Sequence, residues 1–149
     1  SFYFSIPVNI VDAVIPAPLS TKQDPAYDFT GKTLLVVEDV IDNYTLIYAI
    51  LANTGLKIIH TEFGKEAVQI ALSTSPDLVL MDIRLPDLNG YSATREIREQ
   101  KPDLPIIAQT AYAAPEDKRK ALDAGCSDYI SKPIDAELLL DMIKKHISQ

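Results

Sequence analysis

The sequence predicts an α/β domain in which a parallel sheet of five strands is covered by helices on both faces. Short apolar runs alternate strictly with stretches of helical periodicity along residues 31–149. The apolar runs are continuous rather than interrupted by polar residues at every second position, as in strands that are buried on both faces. Polar side chains collect where the runs end, which is where doubly wound sheets bind their ligands.

The strands are predicted from the apolar runs and from the turn or helix signals that separate them. Pro76 precedes the third run, and Pro105 opens the fourth. Each run is too short for a core helix and long enough for a buried strand. The predicted strands are residues 33–37, 57–61, 77–81, 105–109 and 127–130.

The helices are predicted from apolar residues at helical spacing and from end signals. Gly55 lies just past the first helix, and Asp135 caps the last one. Pro115 opens the fourth helix at a position that needs no N–H group, and Gly125 closes it. The predicted helices are residues 41–53, 64–73, 91–100, 115–124 and 136–147.

The first 29 residues differ in composition from the rest of the chain. Large apolar residues alternate with Tyr3 and Ser5 in residues 1–7, which predicts a strand. Prolines and few charges follow, as is typical of a linker. We therefore expect the remnant of a preceding domain at 1–7, a linker at 8–30 and a folded domain at 31–149. The start at Ser1, without a basic n-region, indicates a piece of a longer protein.

Charge and composition exclude several classes of function. The formal net charge is −7, whereas nucleic acids and anionic membranes attract basic patches. The single cysteine, Cys126, allows no internal disulfide and fits a reducing cytosol. No apolar run approaches the roughly 20 residues that a membrane helix needs. We expect a cytoplasmic domain that contacts neither nucleic acid nor membrane.

Polar residues follow four of the predicted strands at one edge of the sheet; they are Glu38, Asp39, Asp82, Thr110 and Lys132. In a flavodoxin-like order the first and third strands adjoin, so the three carboxylates would crowd a small volume. Two carboxylates ~4 Å apart repel by about 4 kcal/mol at an effective dielectric near 20. Oxygen ligands without His or Cys favour a hard cation, and Mg²⁺ is the usual one beside phosphate. Each residue alone could be a cap, a turn residue or a solvated charge, but their conjunction favours a site.

The stretches that carry these residues also carry a family resemblance. VVEDV, LVLMDIRLPDLNGY, IIAQTAYA and DYISKPI resemble the receiver domains of two-component response regulators, the CheY-like family. The resemblance covers about residues 31–146. It implies a flavodoxin-like (βα)5 doubly wound sandwich with strand order 2-1-3-4-5.

The resemblance also implies which residues carry out the chemistry. Asp82 would accept the phosphoryl group. Glu38, Asp39 and Asp82 would hold Mg²⁺ together with the backbone carbonyl of Arg84. Lys132 would contact the phosphoryl group and precede a cis peptide bond.

A second set of implied roles concerns signalling. Thr110 would be the switch hydroxyl and Tyr129 the switch aromatic residue. Arg84 and Tyr112 occupy positions that vary widely in the family and tune the lifetime of the phosphoryl group.

The function implied by the resemblance is Mg²⁺-dependent transfer of a phosphoryl group from a phosphohistidine to Asp82. The receiver would catalyse its own phosphorylation and switch the face formed by its fourth helix, fifth strand and fifth helix. The expected donor is a histidine kinase domain, which can belong to the same chain, and a histidine phosphotransfer protein is a candidate next acceptor. The front strand, linker and receiver together are typical of a hybrid sensor histidine kinase, a phosphotransferase that can be anchored in the inner membrane.

The sequence disfavours three alternative functions. A phosphatase with an aspartate nucleophile would need an acid two residues later, where this chain has Arg84. A flavin- or nucleotide-binding module is disfavoured because the chain has neither a G-x-G-x-x-G motif nor a Walker A loop, and has no Trp. A degenerate receiver that only docks is disfavoured by the complete set of acidic, hydroxyl and lysine residues. His60 and His146 have no ligand partner in the sequence.

Overall fold

The computed structural model describes residues 27–111 and 114–147. The predicted strand at 1–7, most of the predicted linker and Tyr112 lie outside the described residues. Within the described parts of the chain, strands and helices alternate as predicted; they are β1 Thr33–Val37, α1 Ile41–Leu51, β2 Lys57–Thr61, α2 Gly64–Thr74, β3 Leu78–Asp82, α3 Gly90–Gln100, β4 Ile106–Thr110, α4 Pro115–Ala124, β5 Asp128–Ser131 and α5 Ala136–Ile147. None of the helices within 27–111 and 114–147 has the length and apolar character of a membrane span.

The five strands form one parallel sheet in the order β2-β1-β3-β4-β5. This confirms the predicted flavodoxin-like topology. Val37 of β1 pairs with Met81 of β3, and Asp82 of β3 pairs with Gln109 of β4. The carboxyl ends of the three central strands therefore lie at the same edge.

Two hydrophobic clusters lie on opposite faces of the sheet. The first, which we call the α1–α5 core, joins Leu80 of β3 to Ile47 and Leu139 of the covering helices. The second, the α2–α4 core, joins Met81 to side chains of α2, α3 and α4. Successive strand residues alternate between the two cores, as the period of a strand requires. This burial on both faces explains the continuous apolar runs in the sequence.

The first helix ends two residues earlier than predicted. Thr54 ends α1 because its backbone N–H and its hydroxyl both donate to the carbonyl oxygen of Leu51, at 3.1 and 2.7 Å. Gly55 then follows with a φ of 79°, a conformation that favours glycine. The side-chain hydroxyl thus supplies an end signal that helical periodicity does not contain.

The last four residues assigned to the predicted linker, 27–30, pack on the domain. The backbone N–H of Phe29 donates to the carbonyl oxygen of Thr54 at 2.7 Å, and the Phe29 ring is buried in the α1–α5 core. The Tyr27 hydroxyl donates to Asp141 Oδ1 of α5 at 2.5 Å. The packed unit therefore extends at least to Tyr27.

Candidate functional site

Three carboxylates meet at the carboxyl edge of the sheet. Glu38 and Asp39 directly follow β1, and Asp82 is the last residue of β3. One oxygen from each lies within 4.8 Å of the other two. Glu38 and Asp82 are buried, whereas Asp39 is half-buried. The chain thus concentrates negative charge at a place where water cannot screen it well.

Lys132 provides the positive charge that faces this cluster. Its Nζ donates to Asp82 Oδ2 at 3.0 Å and lies 3.1 Å from Glu38 Oε2. The contact with Glu38 is an ion pair without hydrogen-bond geometry, so Oε2 keeps its capacity to bind another partner. The predicted cis peptide bond between Lys132 and Pro133 is present. The backbone N–H of Lys132 donates to the backbone carbonyl oxygen of Thr110 at 2.8 Å, which fixes the lysine at the end of β4.

The contacts in the cluster shift the pKa values of Asp82 and Lys132. Burial raises the pKa of the Asp82 carboxyl, and the charge of Glu38 raises it further. The hydrogen bonds from Lys132 and from the Arg84 N–H oppose these effects without cancelling them. Burial acts to lower the pKa of Lys132, but the hydrogen bond with Asp82 and the negative charges of Asp82 and Glu38 together outweigh it, so that pKa is raised. The carboxylates therefore favour additional positive charge.

The donor set fits a hard divalent cation. The side chains of Glu38, Asp39 and Asp82 offer only carboxylate oxygens, which Mg²⁺ prefers to nitrogen or sulfur. Glu38 Oε1 accepts the backbone N–H of Val40 at 3.1 Å, which fixes the carboxylate and leaves Oε2 directed at the cluster. The residues present therefore fit the Mg²⁺ site that the resemblance implies.

The loop between β3 and α3 is fixed close to Asp82. The Arg84 backbone N–H donates to Asp82 Oδ1 at 3.0 Å, and the Gly90 N–H donates to the carbonyl oxygen of Ile83 at 2.9 Å. A Cβ atom on Gly90 would lie 2.3 Å from the Asp82 carbonyl oxygen, so only glycine allows α3 to start this close to β3. Asn89 caps α3 by accepting the Tyr91 N–H at 2.7 Å. This loop holds Arg84, whose backbone carbonyl is the expected fourth protein ligand.

Thr110 and Tyr129 lie on neighbouring strands and share the face of the sheet that carries the α2–α4 core. Thr110 ends β4, is buried, and lines a cavity of about 140 Å³ together with Asp82 and Lys132. Tyr129 lies on β5, half-buried against the α2–α4 core, with Lys118 Nζ 5.6 Å from the centre of its ring. Tyr129 is not among the residues that line the cavity.

Sequence reasoning missed two residues that contact or adjoin the site. Nε2 of His60, on β2, lies 2.9 Å from the carbonyl oxygen of Glu38, and Tyr44 stacks on the His60 ring with centroids 3.7 Å apart. Gln109 is fully buried on β4 beside Asp82. The sequence could have indicated Gln109, since it is the one polar side chain that precedes Thr110 in the run IIAQT. The sequence does not indicate the contact of His60, because its partner is a backbone carbonyl oxygen.

Comparison with known proteins gives one consistent family. The model of the response regulator receiver domain matches residues 34–144. The polar-differentiation response regulator DivK of Brucella ovis is 36% identical over 118 residues, which are 78% of this chain and 96% of that protein.

Solved structures agree with this match. The receiver domain of the sensor histidine kinase PA1611 from Pseudomonas aeruginosa, with a magnesium ion coordinated in its active site cleft, is 41% identical with a TM-score of 0.75. That match covers 80% of this chain and 100% of the other. The receiver domain of a signal transduction histidine kinase from Syntrophus aciditrophicus is 31% identical, with a TM-score of 0.72 over 79% of this chain and 91% of the other. The chain therefore belongs to the response regulator receiver domain family, as its topology and its carboxyl-edge residues predicted.

Proposed function

We propose that this receiver accepts a phosphoryl group from a phosphohistidine on the carboxylate of Asp82. The observation that carries the proposal is the setting of Asp82: it is buried beside two other acidic residues and faces the Lys132 ammonium at 3.0 Å. An aspartate with an ordinary capping role would not need such a charged environment. Carboxylates are known to form acyl phosphates in enzymes.

The chemistry requires little beyond position and charge. A carboxylate oxygen of Asp82 forms a bond to phosphorus while the phosphorus–nitrogen bond of the donor breaks, and the electron pair leaves on the imidazole. Such in-line transfers depend mainly on orientation and on neutralising the phosphoryl oxygens. Lys132 supplies a compact positive charge next to the reacting carboxylate. Arg84 orients that carboxylate through its backbone N–H.

The acidic residues would also hold a metal ion. Glu38, Asp39 and Asp82, with the backbone carbonyl of Arg84, are the proposed ligands of Mg²⁺. When bound, this ion would supply the positive charge that the three carboxylates and the phosphoryl group together require. The magnesium ion coordinated in the receiver domain of PA1611 supports this assignment.

The phosphoryl group would signal by changing the local balance of contacts. It adds about −1.5 to −2 charge and three acceptor oxygens at Asp82. The Thr110 hydroxyl then donates to one of these oxygens, and Tyr129 moves into the space that this movement opens. The surface of α4, β5 and α5 would thereby change, as a local charge event biases a two-state element.

The proposed donor is a histidine kinase domain, and the proposed parent is a hybrid sensor histidine kinase in which this receiver works in the cytoplasm. Two of the similar solved structures are receiver domains of histidine kinases, which supports this context. A downstream histidine phosphotransfer protein is the proposed next acceptor. Mixing the receiver with a phosphorylated kinase and following the label would test the donor.

Intact mass spectrometry tests the central assignment. The wild-type domain incubated with Mg²⁺ and a small phosphodonor should gain one phosphoryl group that base and hydroxylamine remove. Asp82→Asn should gain none, because the amide is not a nucleophile. Asp103→Ala, which removes an exposed carboxylate in a loop, is the matched control and should be labelled like the wild type. Full labelling of Asp82→Asn would refute the assignment.

A further inference from the structure

Gln109 is a buried polar residue for which the fold alone gives no reason. Its side chain is fully buried, with a relative exposure of 0%. Neither its Oε1 nor its Nε2 has a hydrogen-bond partner. Its neighbours on β4, Ile107 and Ala108, belong to the hydrophobic cores. A carboxamide in such a place destabilises the fold relative to an apolar side chain, because it has lost water without gaining a partner.

The register places this carboxamide beside the acceptor. Asp82 and Gln109 are direct partners on adjacent parallel strands. Strand residues alternate between the two faces of the sheet, and directly paired residues share a face. Met81 and Ala108, which precede Asp82 and Gln109, belong to the α2–α4 core, so Asp82 and Gln109 both lie on the opposite face. Adjacent strands are about 4.8 Å apart, which is within the span of a glutamine side chain. Gln109 also lines the cavity that is lined by Asp82, Lys132 and Thr110.

Glu38 completes a row of buried polar residues across three strands. Val37 pairs with Met81, so Glu38 lies next to Asp82 on the side opposite Gln109. The row Glu38, Asp82, Gln109 therefore has an acid on one side of the acceptor and an amide on the other. The acid has Lys132 as a counter-charge at 3.1 Å, whereas the amide has no partner. A group arriving on Asp82 would meet both.

We propose that the Gln109 carboxamide is a further contact for the phosphoryl group on Asp82, an inference that rests on the proposed function of Asp82 as acceptor. Its Nε2 would donate a hydrogen bond to a phosphoryl oxygen. The phosphoryl group carries three strong acceptor oxygens, and one amide N–H₂ can satisfy part of that capacity. A hydrogen bond to a charged acceptor is stronger than one between neutral groups, so this contact would offset the cost of the buried amide once the phosphoryl group is bound.

Beryllofluoride, which mimics the phosphoryl group on a carboxylate, is the probe. We would titrate it in the presence of Mg²⁺ and follow the bound fluorine signals by NMR, in wild type and Gln109→Leu. Removal of the amide should weaken beryllofluoride binding by about tenfold, as expected for one lost hydrogen bond to a charged group. The melting temperature should rise or stay the same, and Mg²⁺ affinity measured by calorimetry should not change. Gln69→Leu on the exposed side of α2 is the matched control and should bind like the wild type.

The outcomes separate this inference from the proposed function. Equal beryllofluoride affinity in Gln109→Leu and wild type would mean that Gln109 only fills the core. A parallel loss of Mg²⁺ affinity would mean that the variant distorts the site, and would also overturn the inference. If Gln109→Leu does not fold, Gln109→Met keeps the side-chain length without the donor and should show the same tenfold loss. Failure of the proposed function would look different, because then the wild type itself would bind no beryllofluoride, or Asp82→Asn would bind it equally well.

Discussion

Asp87, in the loop that follows β3, caps the N-terminus of α2 by accepting the backbone N–H of Gly64 at 2.8 Å. It also accepts the N–H of Lys65 at 3.0 Å. The residue that directly precedes α2, Phe63, makes no side-chain cap. The loop that holds Arg84 near Asp82, the proposed acceptor, is therefore fixed to a second helix by one carboxylate.

Replacing Asp87 by Asn keeps one acceptor oxygen but removes the negative charge at the helix N-terminus, and should lower the melting temperature by about 2–5 °C at neutral pH. The hydrogen bonds from Lys65 and Gly64 lower the pKa of Asp87, so its charge stabilises the folded state above the ordinary aspartate range. That contribution is lost as the pH falls through the lowered pKa, where Asp87 is protonated. Thermal melts across pH should show the difference between Asp87→Asn and wild type shrinking in acid. A difference that does not depend on pH would contradict the role of the charge.

Arg98 should be one of the most sensitive partly exposed positions of the domain. Its guanidinium donates twice to the carbonyl oxygen of Gly125, at 3.1 and 2.7 Å. It also donates to the carbonyl oxygens of Lys101 and Pro102, at 2.8 and 2.9 Å. These bonds join the end of α3 to the turn that follows α4. Arg98→Ala should cost about 2–3 kcal/mol of unfolding free energy, because it leaves several carbonyls without their donor. Urea titrations should give Arg95→Ala, on the exposed side of the same helix, nearly wild-type stability.

Mg²⁺ affinity should depend on each of the carboxylates in the cluster. Asp39→Ala and Asp82→Asn should each weaken Mg²⁺ binding by about tenfold, since each removes a charged oxygen ligand. Asp42→Ala removes an exposed carboxylate from the first turn of α1 and should leave the affinity unchanged. Isothermal calorimetry is the measurement, and unchanged affinity in both cluster variants would exclude the proposed site.

Thr110→Val should separate phosphorylation from signalling. The variant keeps the side-chain shape and all charged groups of the site, so Asp82 should still be labelled. It lacks the hydroxyl that would draw the end of β4 toward the phosphoryl group, and one charged hydrogen bond is worth about 1.5–3 kcal/mol. The two-state balance should therefore shift by roughly ten- to a hundredfold toward the unphosphorylated surface. Amide NMR shifts with beryllofluoride should move less at Tyr129 and along α4 than in wild type, and identical shifts would disprove the coupling.

Cys126 should react slowly with thiol reagents while the domain is folded. Burial raises the pKa of its thiol, although the hydrogen bond with Thr94 and the charges of Arg98 and Arg95 act in the opposite direction. Ellman's reagent near neutral pH should therefore react about a hundredfold or more slowly than in denaturant. Fast labelling of the native protein would show that the turn after α4 opens readily.

The fold was predictable because its strands are buried on both faces, which leaves continuous apolar runs such as 33–37 in the sequence. The meeting of Asp82 with Glu38 and Lys132 was predictable because parallel strands end at one edge. No comparable rule predicts the other contacts from the sequence. Asp87 caps a helix that begins 23 residues earlier, and His60 binds a backbone carbonyl. Such partners become visible only when the chain is folded.

The two cores on opposite faces of the sheet have a consequence for how such a domain can diversify. Asp82 shares the face of Leu80, whereas Tyr129 packs with the other core. Substitutions in separate clusters with few shared contacts have nearly additive effects. Changes among the side chains that pack behind Tyr129 can therefore alter the surface of α4 and β5 with little effect on the stability of the α1–α5 core. The sheet thus lets the partner-facing surface of such a domain vary without rebuilding the core on its other face.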